Sequence, residues 1–322
     1  MKKLMVMAAA VGVAALVAPL AAQDRAAEVV AQVRQALGGD KLTALTALTA
    51  EGPFRRSMGQ RDMEGTLMLT LVRPDKLRRT EEMSMGGMVN GPTVERTSAF
   101  DGTEAWDDMQ NRGGMGGRMR LEMREGPGPG GPGGPGGNPL TPEQIAEARA
   151  RRMKMELQRW TVALFADSSR PFTDGGVAES PDGKADILET TDEAGRPVKL
   201  FVDQGTHLPL MVQYMEIRPR VMMMGGGPGG RGGGPRGRGA GADGQRPSEE
   251  EMRQRIEEMR KQGPPQPSQF AMHLADYKKV DGIMLPHRID IAIEGQPNEE
   301  WTIDKFKVNP NVKASEFEKP KP

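Results

Sequence analysis

Between positions 283 and 294 the chain reads Ile-Met-Leu-Pro-His-Arg-Ile-Asp-Ile-Ala-Ile-Glu. Ile283, Leu285, Ile289, Ile291 and Ile293 are apolar, and Arg288, Asp290 and Glu294 stand among the alternate positions. A period of two predicts a strand with one buried and one wet face. Asp281-Gly282 before it predicts a hairpin, because both central residues of a type I′ turn need positive φ. Residues 295–298 predict the next turn and 301–308 the next strand. The same alternation recurs upstream in Leu67, Leu69 and Leu71, in Val198, Leu200 and Val202, in Leu208, Leu210, Val212 and Tyr214, and in Phe270, Met272 and Leu274. Leu77 begins a return strand after Pro74-Asp75-Lys76, and Asp101-Gly102 turns a hairpin that puts Trp106 on its second strand. A further strand is expected near residues 185–189. Phase assignments of this kind invert at a single bulge. A break is expected near the end, where Trp301 and Ile303 are odd and Phe306 and Val308 even.

Two stretches follow a helical period instead. Residues 24–37 place Ala26, Val29, Val30, Val33 and Leu37 on one side, and Gly38-Gly39 gives the stop. Asp40 is expected to cap a short second helix carrying Leu42, Leu45 and Leu48. Thr141-Pro142-Glu143-Gln144 predicts a firm helix start, with a threonine cap, proline first and glutamine three residues after the cap. That helix should reach about Phe165, basic in its middle (Arg149, Arg151, Arg152, Lys154) and apolar late (Leu157, Trp160, Val162, Leu164). The elements together predict an α+β fold: a large antiparallel sheet of roughly 10–11 strands whose apolar face is either covered by the helices or closed on itself.

Composition adds the boundaries. Lys2 and Lys3, an apolar run from Leu4 to Leu20 and then Ala21-Ala22-Gln23 predict a secretory signal peptide over residues 1–22, cleaved near Ala22. A membrane anchor is the alternative, but the run is barely long enough to span. No cysteine follows, so neither a lipidation box, a disulfide nor a thiolate metal site is available. Residues 23–322 are expected to form a single domain with biased inserts at about 110–139 and 218–267, rich in Gly, Pro, Met and Arg and unable to build a core. Gly126-x-Gly128-x-x-Gly131 lies in the first insert, with prolines between the glycines and no strand ahead, so it is not a dinucleotide fingerprint. The arginine-glycine tract at 225–241 resembles nucleic-acid-binding tails. Export makes nucleic acid an unsuitable partner, and acids and bases balance at 44 each.

Candidate chemistry is sparse. There is no cysteine, no G-x-S-x-G elbow, and the histidines are His207, His273 and His287. The acids are spread along strand and helix faces read as exposed, so no paired-carboxylate site is expected. Neither catalysis nor a cofactor is expected. Methionine offers one metal alternative: Met83, Met85 and Met88 lie among glycines, and thioethers favour Cu(I). The main feature is the apolar face of the sheet. By strand phase its lining comprises Leu67, Leu69, Leu71, Trp106, Val198, Leu200, Val202, Leu208, Leu210, Val212, Phe270, Leu274, Ile289, Ile291 and Ile293, with Leu157, Trp160 and Leu164 as lid candidates. Such a face is either a groove or a filled core. As a groove it would take methylenes at about 0.8 kcal/mol each.

The order of these pieces resembles LolA-like proteins, periplasmic carriers of the lipoprotein-localisation superfamily. The similar segments are L-G-G-x-x-L-x-x-L-x-x-L at residues 37–48, P-D-K-x-R at residues 74–78, and F-D-G-x-x-x-W at Phe100–Trp106. They continue with D-x-x-T-x-L-P-L at Asp203–Leu210 and the run D-Y-K-K-V-D-G-I-M-L-P-H-R-I from Asp276. The resemblance implies an incompletely closed barrel, lidded by helices, that shelters acyl chains crossing the periplasm. It implies an acylated lipoprotein or other lipid as cargo, passing contact with the envelope membrane or a lipoprotein-handling partner, and a monomer. An envelope-stress or structural protein of the same fold is the alternative.

Overall fold

The structure is a computed structural model and describes residues 17–58, 61–84, 93–112, 141–180, 183–217 and 266–320. The expected signal region up to residue 16, most of both inserts, Met85 and Met88 lie outside these. Two compact units divide the chain: Met1–Glu122, Ala146–Met215 and Gln269–Pro322 form the first, Met123–Ile145 and Glu216–Ser268 the second. Of the second unit only residues 141–145, 216–217 and 266–268 are among the described residues.

Among the described residues thirteen strands form one antiparallel sheet. Five precede the long helix: β1 (Ala47–Met58), β2 (Arg61–Val72), β3 (Lys76–Ser84), β4 (Thr93–Phe100) and β5 (Ala105–Arg112). After α3 (Pro142–Phe165) come β6 (Thr173–Ser180), β7 (Gly183–Thr191), β8 (Pro197–Asp203) and β9 (Pro209–Ile217). β10 (Pro267–Val280), β11 (Ile283–Ile293), β12 (Gln296–Thr302) and β13 (Lys305–Val308) complete it. Their order across the sheet is β5-β4-β3-β2-β1-β12-β11-β10-β9-β8-β7-β6, so β1 joins two meanders and the sheet stays open between β5 and β6. The fold is the expected α+β open sheet, with more strands than the pattern predicts. β6 is Thr-Asp-Gly-Gly-Val-Ala-Glu-Ser and shows no apolar alternation. The last expected strand is two: β12 ends at Thr302, and β13 pairs with the other end of β1, Leu48 opposite Val308. The change of phase between Ile303 and Phe306 falls in that break.

The turns follow local chemistry. Asp281 and Gly282 both have positive φ, 51° and 91°, as a type I′ turn requires. Gly38, just past α1 (Val17–Leu37), lies so near this hairpin that an added Cβ would meet the Gly282 carbonyl oxygen at 2.9 Å. Ala26, Val29, Val33 and Leu37 of α1 are buried at helical spacing, and α1 packs on β6, β7 and β11. α2 is a single turn, Asp40–Thr43; Gly39 rather than Asp40 stands at its cap, without a side-chain bond, and Leu48 belongs to β1. The start of α3 is as expected. Thr141 N–H donates to Gln144 Oε1 at 3.0 Å, and Gln144 N–H to Thr141 Oγ1 at 3.3 Å.

Candidate functional site

Residues directly opposite across strands share a face, so the register shows what α1 and α3 cover. One row runs Met272, Ile291, Glu299 and Arg56; the next runs Leu274, Ile289, Trp301 and Phe54. Leu188, Leu200 and Val212 form a third. Leu67, Leu69 and Leu71 of β2, Val198 and Val202 of β8, and Ile289 and Ile291 of β11 are buried in one continuous hydrophobic cluster, with Phe270 and Leu208 partly buried at its margin. Ile293 is also buried.

Two assignments made by strand phase are corrected. Leu210 is 41% exposed. Phe201 pairs with Met211 but Val202 with Pro209, so Leu210 is the extra residue of a bulge and Pro209 takes its inward place. Trp106 is buried on the opposite face. It stands level with Ala99 and Arg78, and its Nε1–H donates to the Phe317 carbonyl at 2.6 Å, beneath the C-terminal segment. The hairpin was legible, but the face of the tryptophan depended on knowing which residue of Ala105-Trp106-Asp107 points at the helices.

α3 is no loose cover over this face. Leu157, Gln158, Arg159, Trp160, Val162, Ala163, Leu164 and Phe165 are all buried, so its last two turns are surrounded. Trp160 stacks on Trp301 with ring centroids 5.1 Å apart. The Arg159 guanidinium lies over the Tyr214 ring at 4.1 Å, and Tyr214 stacks on Phe270. Gln158 donates to the Thr191 carbonyl at 3.0 Å. The lid candidates Leu157, Trp160 and Leu164 thus join the same cluster as the lining residues.

Beside the apolar cluster lies a charged network absent from the pattern reading. Arg56 Nη2 is 2.6 Å from Glu81 Oε1 and 2.9 Å from Glu299 Oε1. Arg79 joins both carboxylates and reaches α3 through Glu156 at 3.1 Å; its guanidinium lies over the Trp301 ring at 5.0 Å. The Trp301 indole N–H donates to Glu299. Burial pushes the Glu81 carboxyl up, and the Arg79 and Arg56 guanidiniums outweigh it, holding it at about 2. Burial likewise lowers Arg79 and Arg56, and their acid partners overcome this, so both stay charged. Nearer the β5 edge, Asp107 accepts from Arg152 at 2.7 Å and has Arg149 at 3.4 Å. Its carboxyl is raised by burial but lowered further by Arg152 and Ser98. The expectation that acids occupy only exposed faces is therefore wrong for Glu81 and Glu299. A signal existed: Arg79 and Glu81 occupy the odd positions between Leu77 and Met83, in phase with the buried face. The Glu81 and Asp107 carboxyls are held ionised by arginine, unlike a general acid, which needs a raised pKa.

Other candidates are structural in their contacts. His287 is half-buried, its Nδ1 2.7 Å from the Ile303 carbonyl and its ring edge-on to Phe306. Met83 is packed in the hydrophobic cluster. Among the described residues no group of three or more His, Asp or Glu is placed to hold a metal ion, and no helix is long and apolar enough to cross a membrane.

No family model matches the chain, and no curated protein matches it in sequence. Solved structures similar to it include one described as an outer membrane lipoprotein-sorting protein domain from Vibrio parahaemolyticus. That likeness has 13% identity over 92% of this chain and 97% of that one, with a TM-score of 0.43. A LolA superfamily protein from Nitrosomonas europaea is similar at 10% identity over 91% and 97%, TM-score 0.43. A DUF1329 family protein from Desulfovibrio piger is similar at 12% over 93% and 97%, TM-score 0.42. At such identities a likeness concerns the fold alone, and the fold itself is defined by the strand order and register above.

Proposed function

We propose that this protein is a binding or carrier protein for acyl-chain amphiphiles, working in the periplasm after removal of a signal peptide near Ala22, and that it is not an enzyme. One observation carries the reading. The apolar face of the sheet is filled by a helix that buries Gln158 and Arg159 and carries the half-buried Glu156–Arg79 ion pair. A permanent core gains little from buried charge, since desolvation offsets most of the attraction. A helix that must leave and return benefits from partners that water can replace. In this reading the C-terminal half of α3 holds the place of an acyl chain and withdraws when one enters over Leu200, Val212, Ile289 and Ile291. Lipoprotein as cargo, with a lipoprotein-handling partner, is suggested by the LolA-like order of the sequence motifs.

Native mass spectrometry of the exported protein, purified from its own envelope and extracted with organic solvent, tests this. About one acylated molecule per chain is expected, with its loss on Leu200→Asp or Ile291→Asp. A chain that carries no lipid and takes up no acylated probe would leave only a sheet with a filled core.

A further inference from the structure

The chain holds 24 methionines and no cysteine, so its oxidisable sulfurs are all thioethers. Met83, Met153 and Met272 are shielded in the core, at 6%, 1% and 3% exposure. Met155, two residues beyond Met153 on α3, is half-buried and turns instead to the loop between β7 and β8. Its Sδ lies 2.6 Å from Arg196 Nη2 there.

That guanidinium is fixed by its own turn. Asp192, 5% exposed, accepts from Arg196 Nε–H and Nη2–H on Oδ2, at 2.8 and 2.7 Å. Its Oδ1 accepts the backbone N–H groups of Ala194 and Arg196, both at 2.9 Å. The Asp192 N–H donates to the Arg196 carbonyl at 2.8 Å. A charged donor is therefore held against a thioether, which is only a weak acceptor. Oxidation to the sulfoxide puts a polar oxygen on the same sulfur, and a bond from guanidinium to oxygen is charge-assisted. The three rotatable bonds of methionine let that oxygen settle at ordinary hydrogen-bond length. The surroundings of Met155 suit its oxidised form better than its reduced one.

We propose that Met155 is an oxidation site, with a peroxide as the oxidant and Arg196 as the group that binds the sulfoxide. The sulfur lone pair attacks one oxygen of hydrogen peroxide and the O–O bond breaks. Sulfur gives up two electrons, the departing hydroxide takes the proton of the transferred oxygen, and water leaves. A sulfoxide ordinarily disrupts the packing around it; at this position it ties α3 more firmly to the β7–β8 turn. In the carrier reading a firmer α3 admits a guest chain more slowly, but the sulfoxide bond itself needs no cargo.

Peptide mass spectrometry and amide hydrogen exchange on the full mature chain, free of lipid, before and after graded hydrogen peroxide, test it. In the folded chain Met155 should oxidise about tenfold faster than Met153, its shielded neighbour. After oxidation the segment from Met155 to Arg159 should exchange about tenfold more slowly, as one added charge-assisted hydrogen bond requires. R196M, which keeps the length of the side chain and removes the donor, should abolish that slowing. M155L, which keeps the packing and has no sulfur, should show none under the same treatment, which sets aside oxidation at other methionines. Oxidation of Met155 no faster than Met153, exchange unchanged or faster after oxidation, or a slowing that persists in R196M or M155L would overturn the assignment.

Discussion

Glu81 shows how the site is held at the scale of one residue. It is 3% exposed and lies between two arginines. Its folded value of about 2 is below the ordinary 4.5, so the ionised form is favoured by folding. That contribution is complete above pH 4.5 and is lost as pH falls through about 2. The shift corresponds to about 3 kcal/mol. Glu81→Gln should therefore cost about 3–5 kcal/mol at neutral pH, because it leaves buried guanidiniums short of charge. It should also flatten the acid limb of stability against pH. Urea unfolding at pH 7, 4 and 3 measures both effects, and an acid limb parallel to that of the unsubstituted chain would contradict the account. Glu300→Gln, which touches only exposed Arg55 and Arg288, should cost under about 1 kcal/mol.

At the scale of elements, the bulge in β9 is the sharpest case. Alternation alone puts Leu208, Leu210, Val212 and Tyr214 on one face, yet only Val212 and Tyr214 are fully buried there. Leu210→Asp should change stability by no more than about 0.5 kcal/mol. Val212→Asp should abolish cooperative folding, which circular dichroism melts would show at once. The pattern was reliable where the strand itself gains no residue, as in β11, where Ile283, Leu285, Ile289, Ile291 and Ile293 are buried as the sequence implies and the bulge against β12 puts its extra residue on β12. It failed where the ladder gains a residue, and it could not tell which face a lone tryptophan takes. The extent and cap of α3 were legible, but the burial of its last two turns was not. An amphipathic period cannot reveal that all of Leu157 to Phe165 but Thr161 is buried, because Gln158 and Arg159 read as a wet face. Trp160→Ala should cost about 3–5 kcal/mol in the lipid-free protein through loss of the stack on Trp301. It should strengthen binding of an acyl probe by easing the helix out, and weaker probe binding would argue that α3 is plain core.

The whole first unit is an open sheet of two meanders joined through β1, with one face filled by helices and divided into apolar and charged parts. The proposed carrier role requires exchange between the helix and a guest chain. Tryptophan fluorescence with a brominated acyl chain tests that most directly, since bromine quenches indole only at contact. Trp160 and Trp301 lie stacked on the helix-covered face, and Trp106 lies on the other. Titration with 9,10-dibromostearate should quench the emission of the unsubstituted chain and of Trp106→Phe alike. In Trp160→Phe/Trp301→Phe the quenching should vanish. Quenching confined to Trp106, or none at all with the probe bound, would contradict an acyl chain on this face.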